Sequence, residues 1–174
     1  KIVARYDKIH MFDVDLPTGE SHRESAQVRP GVEAVIADTP WGGLGLTICY
    51  DVRFAYLHRA LAQAGAKFLT GPAAFTVPTG QAHWHVLLRA RAIETGCFVF
   101  APAQTGEHAV GRRTYGHSLI VAPWGEVLAD AGDDPGQRQK QRKYEDQRAD
   151  DAQDRDGDRR IAAVVRRADN PRDS

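Results

Sequence analysis

Apolar and polar positions alternate in short blocks from the first residue to about residue 132, and then the alternation stops. Val35 to Asp38 and Leu44 to Ile48 are β-rich runs joined by the turn TPWGG, a pattern that predicts a hairpin. After Cys49 the residues Phe54, Leu57, Leu61 and Ala64 fall at helical spacing, and Gly65 follows where a left-handed cap belongs. Residues 53–64 therefore predict a helix. KFLTGPAAF (67–75) reads as a strand running into the loop TVPTGQ (76–81), and His83 to Thr95 reads as a second helix closed by Gly96. CFVFAPAQ (97–104) is apolar throughout, the pattern of a strand buried on both faces. Residues 105–115 read as a polar loop, and HSLIVAPWGEVLAD (117–130) as a last hairpin whose APWGE turn echoes the earlier TPWGG. KIVARY (1–6) has the look of a strand interior, as in a chain that enters its fold partway.

Strands alternating with helices predict an α/β layered sheet, with the chemistry at the strand ends. From residue 133 onward, charged residues alternate with Gln and Ala and almost nothing apolar remains, so the tail 133–174 cannot offset its ordering entropy. It predicts disorder or a solvated helix. Within it only IAAVVRRA (161–168) could pack, and the break is sharp enough to question whether the tail is native reading frame.

Composition narrows the function classes. With 174 residues, 42% of them hydrophobic, the chain can bury one ordinary core. Its formal charge is zero, which offers no basic stripe for nucleic acid and no polybasic membrane patch. No apolar run reaches bilayer length and no signal peptide is visible, so a cytoplasmic protein with a small-molecule partner is expected. Cys49 and Cys97 both lie in apolar runs and are expected as free thiols.

Cys49 carries the main chemical question. A thiol where a strand breaks into a helix has its thiolate favoured by the helix start and has free backbone N–H groups beside it. The competing reading is a small core residue, since unpaired cysteines are among the most buried residue types. Lys8 and Glu24 are the candidate cation and carboxylate; read singly, each is an ordinary surface charge. Phe75 and Thr76, at a strand end beside TVPTG, are candidate pocket residues. His83 and His85 could suggest a metal pair, but helical i, i+2 side chains point apart and no third ligand stands at a convincing spacing, so no metal is expected. Arg89, Arg91 and Glu94 read as surface or helix-packing ion pairs of small worth, Cys97 as structural, and Asp51 with Arg53 either as a brace for the turn after Cys49 or as exposed charges.

Four stretches taken together, YDKIHMFDVDLPTGESHRES, GLGLTICYDVRF, PAAFTVPTGQAHWHVLLRARAIETGCFV and YGHSLIVAPWGEVLA, resemble the carbon-nitrogen hydrolases of the nitrilase superfamily, and within it the Nit branch of deaminated-glutathione and ω-amidases. The resemblance covers residues 1 to about 130. It implies part of a four-layer α-β-β-α sandwich and hydrolysis of a small carboxylate-bearing amide through a cysteine thioester, releasing ammonia and requiring no cofactor. Cys49 is similar to the family's nucleophile, Lys8 to its lysine and Glu24 to its second glutamate. The Tyr50 N–H with Lys8 would form the oxyanion site, and His83 would cap or line the pocket. The resemblance also implies a homodimer for the complete enzyme. The family's first glutamate, its general base, precedes the lysine by a long stretch, and no residue of this sequence matches it. Residues 1–132 are thus expected to be the C-terminal part of such a domain, inactive or severely impaired alone. An inactive association module, or an α/β binding domain with structural cysteines, is the alternative.

Overall fold

The structure of the chain, a computed structural model, describes residues 2–16 and 19–135, without the side chain of Val110. The tail expectation, IAAVVRRA included, falls almost wholly outside the described residues.

The strands are β1 (Asp13–Asp15), β2 (Ser21–Arg23), β3 (Val35–Thr39), β4 (Gly42–Leu46), β5 (Ala66–Thr70), β6 (Phe98–Ala101), β7 (Thr105–Glu107), β8 (Arg113–Tyr115), β9 (Leu119–Val121) and β10 (Val127–Asp130). Two α-helices, α1 (Ala55–Gln63) and α2 (Val77–Thr95), interrupt them. Six strands form one mixed sheet in the order β10-β9-β6-β5-β4-β3, while β1–β2 and β7–β8 are separate hairpins. The three central strands β4, β5 and β6 run parallel, joined through α1 and α2, and antiparallel strands flank them. Both helices pack on the sheet. Among the described residues this is one sheet and one helical layer of an α/β sandwich.

The core is the seam between them. Leu61 and Trp84 (each 1% exposed) and Leu88 (2%) come from the helices and meet Leu69 (1%), Val99 (3%) and Val121 (0%) from the sheet. Burying side chains of this size contributes roughly 1.5–3 kcal/mol each. The expectation that residues 97–104 are buried on both faces is corrected: Val99 and Ala101 are buried, but Phe98 is 36% exposed and Phe100 half-buried. No second layer covers that face among the described residues, and there the ring of Phe68 lies beside those of Phe98 and Phe100, with centroids 6.1 and 5.9 Å away.

Three further expectations change. α2 begins at Val77, six residues before His83, because Pro78 stands in the first turn, where its missing N–H costs no hydrogen bond. The polar stretch 105–115 is the hairpin β7–β8 around a 3-10 turn at Ala109–Gly111; strands of three residues are too short to show a period. Residues 2–6 form no strand, and Ile2 and Val3 are 85% and 78% exposed, with no neighbouring strand among the described residues to pair with. The helix expected over 53–64 is α1 preceded by a 3-10 turn, Cys49–Arg53. The predicted caps hold, with Gly65 and Gly96 at φ 101° and 66°. Cys49 and Cys97 are free thiols. No helix among the described residues is long and apolar enough to cross a membrane.

Candidate active site

The sulfur sits where β4 gives way to the 3-10 turn. Cys49 adopts φ 50°, in the left-handed region, and its N–H is held by Pro72 O at 2.9 Å beyond the end of β5. The turn is then fixed at both ends. On one side the Asp51 carboxylate accepts the Ile48 N–H at 2.9 Å, closing the turn on itself. On the other, Arg91 of α2 donates through Nε to Val52 O at 2.7 Å and through Nη2 to Arg53 O at 3.4 Å, while also pairing with Glu94. Arg91 makes the expected ion pair with Glu94, but at only 6% exposed it also braces the carbonyls of the cysteine turn, a role the ion-pair expectation did not include.

Asp51 does more than close the turn. It is fully buried, and its two oxygens also accept the Tyr6 hydroxyl (2.7 Å), the His10 backbone N–H (3.1 Å) and His10 Nδ1 (2.7 Å). The segment bearing Lys8 is thereby tied to the residue two positions beyond the cysteine. His10 adds a stacked contact with Phe54, ring centroids 3.6 Å apart, and bonds the Tyr56 hydroxyl. Burial and the Asp51 carboxylate together raise the Tyr6 hydroxyl's pKa, so it stays a donor. The same segment is clamped from outside at Gly31, whose N–H bonds Lys8 O at 2.7 Å; a Cβ there would lie 2.1 Å from Asp7 O, so only glycine fits.

Lys8 Nζ, its side chain 8% exposed, pairs directly with the Glu24 carboxylate, which also accepts the Phe12 N–H at 2.7 Å. Glu24 leads a 3-10 turn straight after β2, so the β1–β2 hairpin folds the carboxylate back onto the lysine. Burial pushes the Cys49 thiol above its ordinary pKa. The Ala74 N–H, the Lys8 ammonium and the Tyr50 N–H pull the other way, and the Glu24 charge adds to the rise. With burial the largest of these influences, the resting thiol is held toward its protonated form.

These groups share a cavity of about 840 Å³ whose wall includes Lys8, Glu24, Cys49, Tyr50, Phe75 and Thr76. Six of the seven predicted site residues thus meet. His83 does not: Trp84 turns into the core and leaves His83 exposed, outside the cavity wall and 3.3 Å from Arg53 Nη2. Asp51 is a brace, but Arg53 is not its partner, its guanidinium lying over the rings of Tyr50 and Phe75 instead. The sequence reading missed the Ala74 N–H, the Arg91 brace and Arg112, which also lines the cavity. An aspartate two positions after a strand-end cysteine, with Tyr6 and His10 flanking the lysine, is the available signal for the Asp51 tie.

A thiol, an ammonium and a carboxylate around one cavity at the ends of parallel strands have the make-up of a cysteine-dependent hydrolase of the layered α/β class. The comparisons agree. Residues 1–137 match the family described as Carbon-nitrogen hydrolase, and the chain belongs to that family. The chain is 54% identical over 136 residues to a deaminated glutathione amidase of Synechocystis sp., covering 77% of this chain and 50% of that protein. The crystal structure of the C. elegans NitFhit protein matches with TM-score 0.70 and 49% identity, covering 75% of this chain and 32% of that one. Nit3 of Saccharomyces cerevisiae, a member of branch 10 of the nitrilase superfamily, matches with TM-score 0.68 and 34% identity, covering 76% and 45%. The chain spans about half the length of the curated relatives it matches, or less.

Proposed function

We propose that this chain carries the thiol side of an amidase site, in which Cys49 attacks the carbonyl of a small amide and forms a thioester. The Tyr50 N–H and the Lys8 ammonium hold the tetrahedral oxyanion, the amine half departs with a proton, and water releases the carboxylic acid. Glu24 aims the Lys8 amine through their direct pair. The observation that carries this reading is that Cys49, Tyr50, Lys8 and Glu24, from separate elements, line one cavity, with Lys8 and Glu24 paired there. Arg112 on the cavity wall has no ion-pair partner among the described residues and suits a substrate carboxylate, which supports an amide of the deaminated-glutathione kind. For the complete enzyme the reading carries a cytoplasmic homodimer.

The thiol's raised pKa makes the removal of its proton the difficult step. Among the described residues the carboxylate on the cavity wall nearest in role to a base is Glu24, and it is already committed to Lys8. The 174-residue chain is therefore expected to bind electrophiles faster than it turns amides over. Labelling with iodoacetamide between pH 7 and 10 tests this. Cys49 should react at a rate still climbing above pH 9, its ordinary value, Lys8→Met should slow it about tenfold, and Cys97 (2% exposed) should stay unmodified while the chain is folded. Equal labelling of both thiols, or acid release from an amide that survives Cys49→Ala, would sink the proposal.

A further inference from the structure

Away from the cavity's thiol, three elements distant in sequence bring two imidazoles and a carboxylate to one point. His85 comes from α2, His117 from the link between β8 and β9, and Asp130 from the end of β10. Asp130 Oδ2 lies 3.0 Å from His85 Nε2, and the two carboxylate oxygens lie 2.9 and 3.0 Å from His117 Nδ1. One donor atom from each residue falls within 4.8 Å of the other two. The two rings meet edge to face, centroids 5.0 Å apart, so their nitrogens converge on the carboxylate instead of stacking past it. The amidase reading uses none of the three.

We propose that His85, His117 and Asp130 form a site for a divalent transition-metal ion such as Zn²⁺, which staples α2 to the β8–β9 link and to β10. Nitrogen and oxygen ligands about 2.0–2.2 Å from such an ion stand roughly 3 Å apart, which the nitrogen–oxygen separations already match, while the two imidazole nitrogens, within 4.8 Å of each other, close on the ion by side-chain rotation. Two imidazoles and one carboxylate are a borderline donor set that favours zinc, cobalt or nickel over calcium or magnesium, which take oxygen. The frame around the site is already set. His117 holds φ 59°, its N–H bonds Gly132 O at 2.7 Å, and its carbonyl accepts the buried Trp84 Nε1 at 2.7 Å. The Gly132 N–H supports Asp130 Oδ1 at 2.8 Å, an outer hydrogen bond of the kind that orients a ligating carboxylate. The side chains are 32%, 22% and 22% exposed, so an ion can enter and water can complete its coordination. His83 and His85 do point apart; His85 instead finds its partners across the fold. The next residue, Ser118, hydrogen-bonds Ala103 and lines the 840 Å³ cavity, so an ion at His117 would steady one wall of it.

Titrating the 174-residue chain with Co²⁺ tests the site without any activity readout. The expected result is one saturable equivalent with weak ligand-field absorption and no thiolate-to-cobalt band, unchanged in Cys49→Ser and displaced by Zn²⁺. Zn²⁺ should also raise the thermal midpoint of the parent chain. Asp130→Asn and His117→Gln should each weaken binding beyond the roughly 10–100-fold that losing an outer-shell partner costs. If either variant folds poorly, His85→Gln, on a partly exposed helix position, carries the same expectation. Absence of saturable binding, a cobalt spectrum with thiolate character that vanishes in Cys49→Ser, or affinity unmoved by these substitutions overturns the assignment.

Discussion

Cys49 and Lys8 face each other from regions held by different physics. The cysteine turn rests on the helix-covered sheet, where Leu61, Leu69, Leu88 and Val99 share one apolar seam and the loss of one contact is spread over many. Lys8 rides on a segment with little core of its own, secured chiefly through Asp51, which takes four hydrogen bonds, three of them from residues 6–10. A hydrogen bond to a charged group and a buried aliphatic side chain are of similar worth, about 1.5–3 kcal/mol each. The difference lies in redundancy. The sulfur's position inherits the stability of the whole layer, whereas the amine's position rests on a few polar ties, the Asp51 carboxylate chief among them with Glu24 and the Gly31 N–H beside it.

Substitutions can separate the two regions. Leu61→Ala should have the largest effect, about 2–5 kcal/mol of stability, and urea unfolding followed by tryptophan fluorescence and by Cys49 accessibility should shift together. Two separated transitions would show that the cysteine turn does not share the core's stability. Next comes acid. Burial lowers the His58 pKa to about 4, so its native form is the neutral imidazole, 3% exposed and bonded to Phe54 O. The stability it contributes is complete above the ordinary value of 6.5 and is lost as pH falls toward 4, roughly 3 kcal/mol across that window. His58→Gln should flatten the denaturation profile between those values; an unchanged profile would remove His58 from the account. Asp51→Asn should be smallest in global terms, about 1–3 kcal/mol, yet most local. Amide exchange should speed up at His10 and Ile48 and their neighbours while α1 stays protected, and equal loss in α1 would erase the distinction between the regions.

The apolar half of this picture was legible in the sequence. Period and punctuation marked both helices and the two PWG hairpins, because those signals are local. The polar half was legible only as residue types. Asp51 meets Tyr6 and His10 across more than forty positions, and no spacing rule pairs them, so the sequence offers only its neighbour Arg53 as a partner, or none. The brace by Arg91 is not legible beyond its ion pair because burial of a charge is decided by what packs over it. Lys8, Glu24 and Cys49 were picked out as a set by likeness to a family, their individual signals being weak. The hairpins β1–β2 and β7–β8 were missed because three residues do not establish an alternation, although the first of them delivers Glu24 to Lys8.

The backbone at residue 49 has its own implication. A side chain bearing Cβ costs about 1–2 kcal/mol in the left-handed region, where glycine is at ease, so the polypeptide keeps its sulfur at a spot its own conformational preferences oppose. Glycine in its place would relax the backbone, so the turn takes its shape from what surrounds residue 49, Pro72 O on its N–H and the Asp51 carboxylate on the Ile48 N–H, and not from the cysteine's own preference.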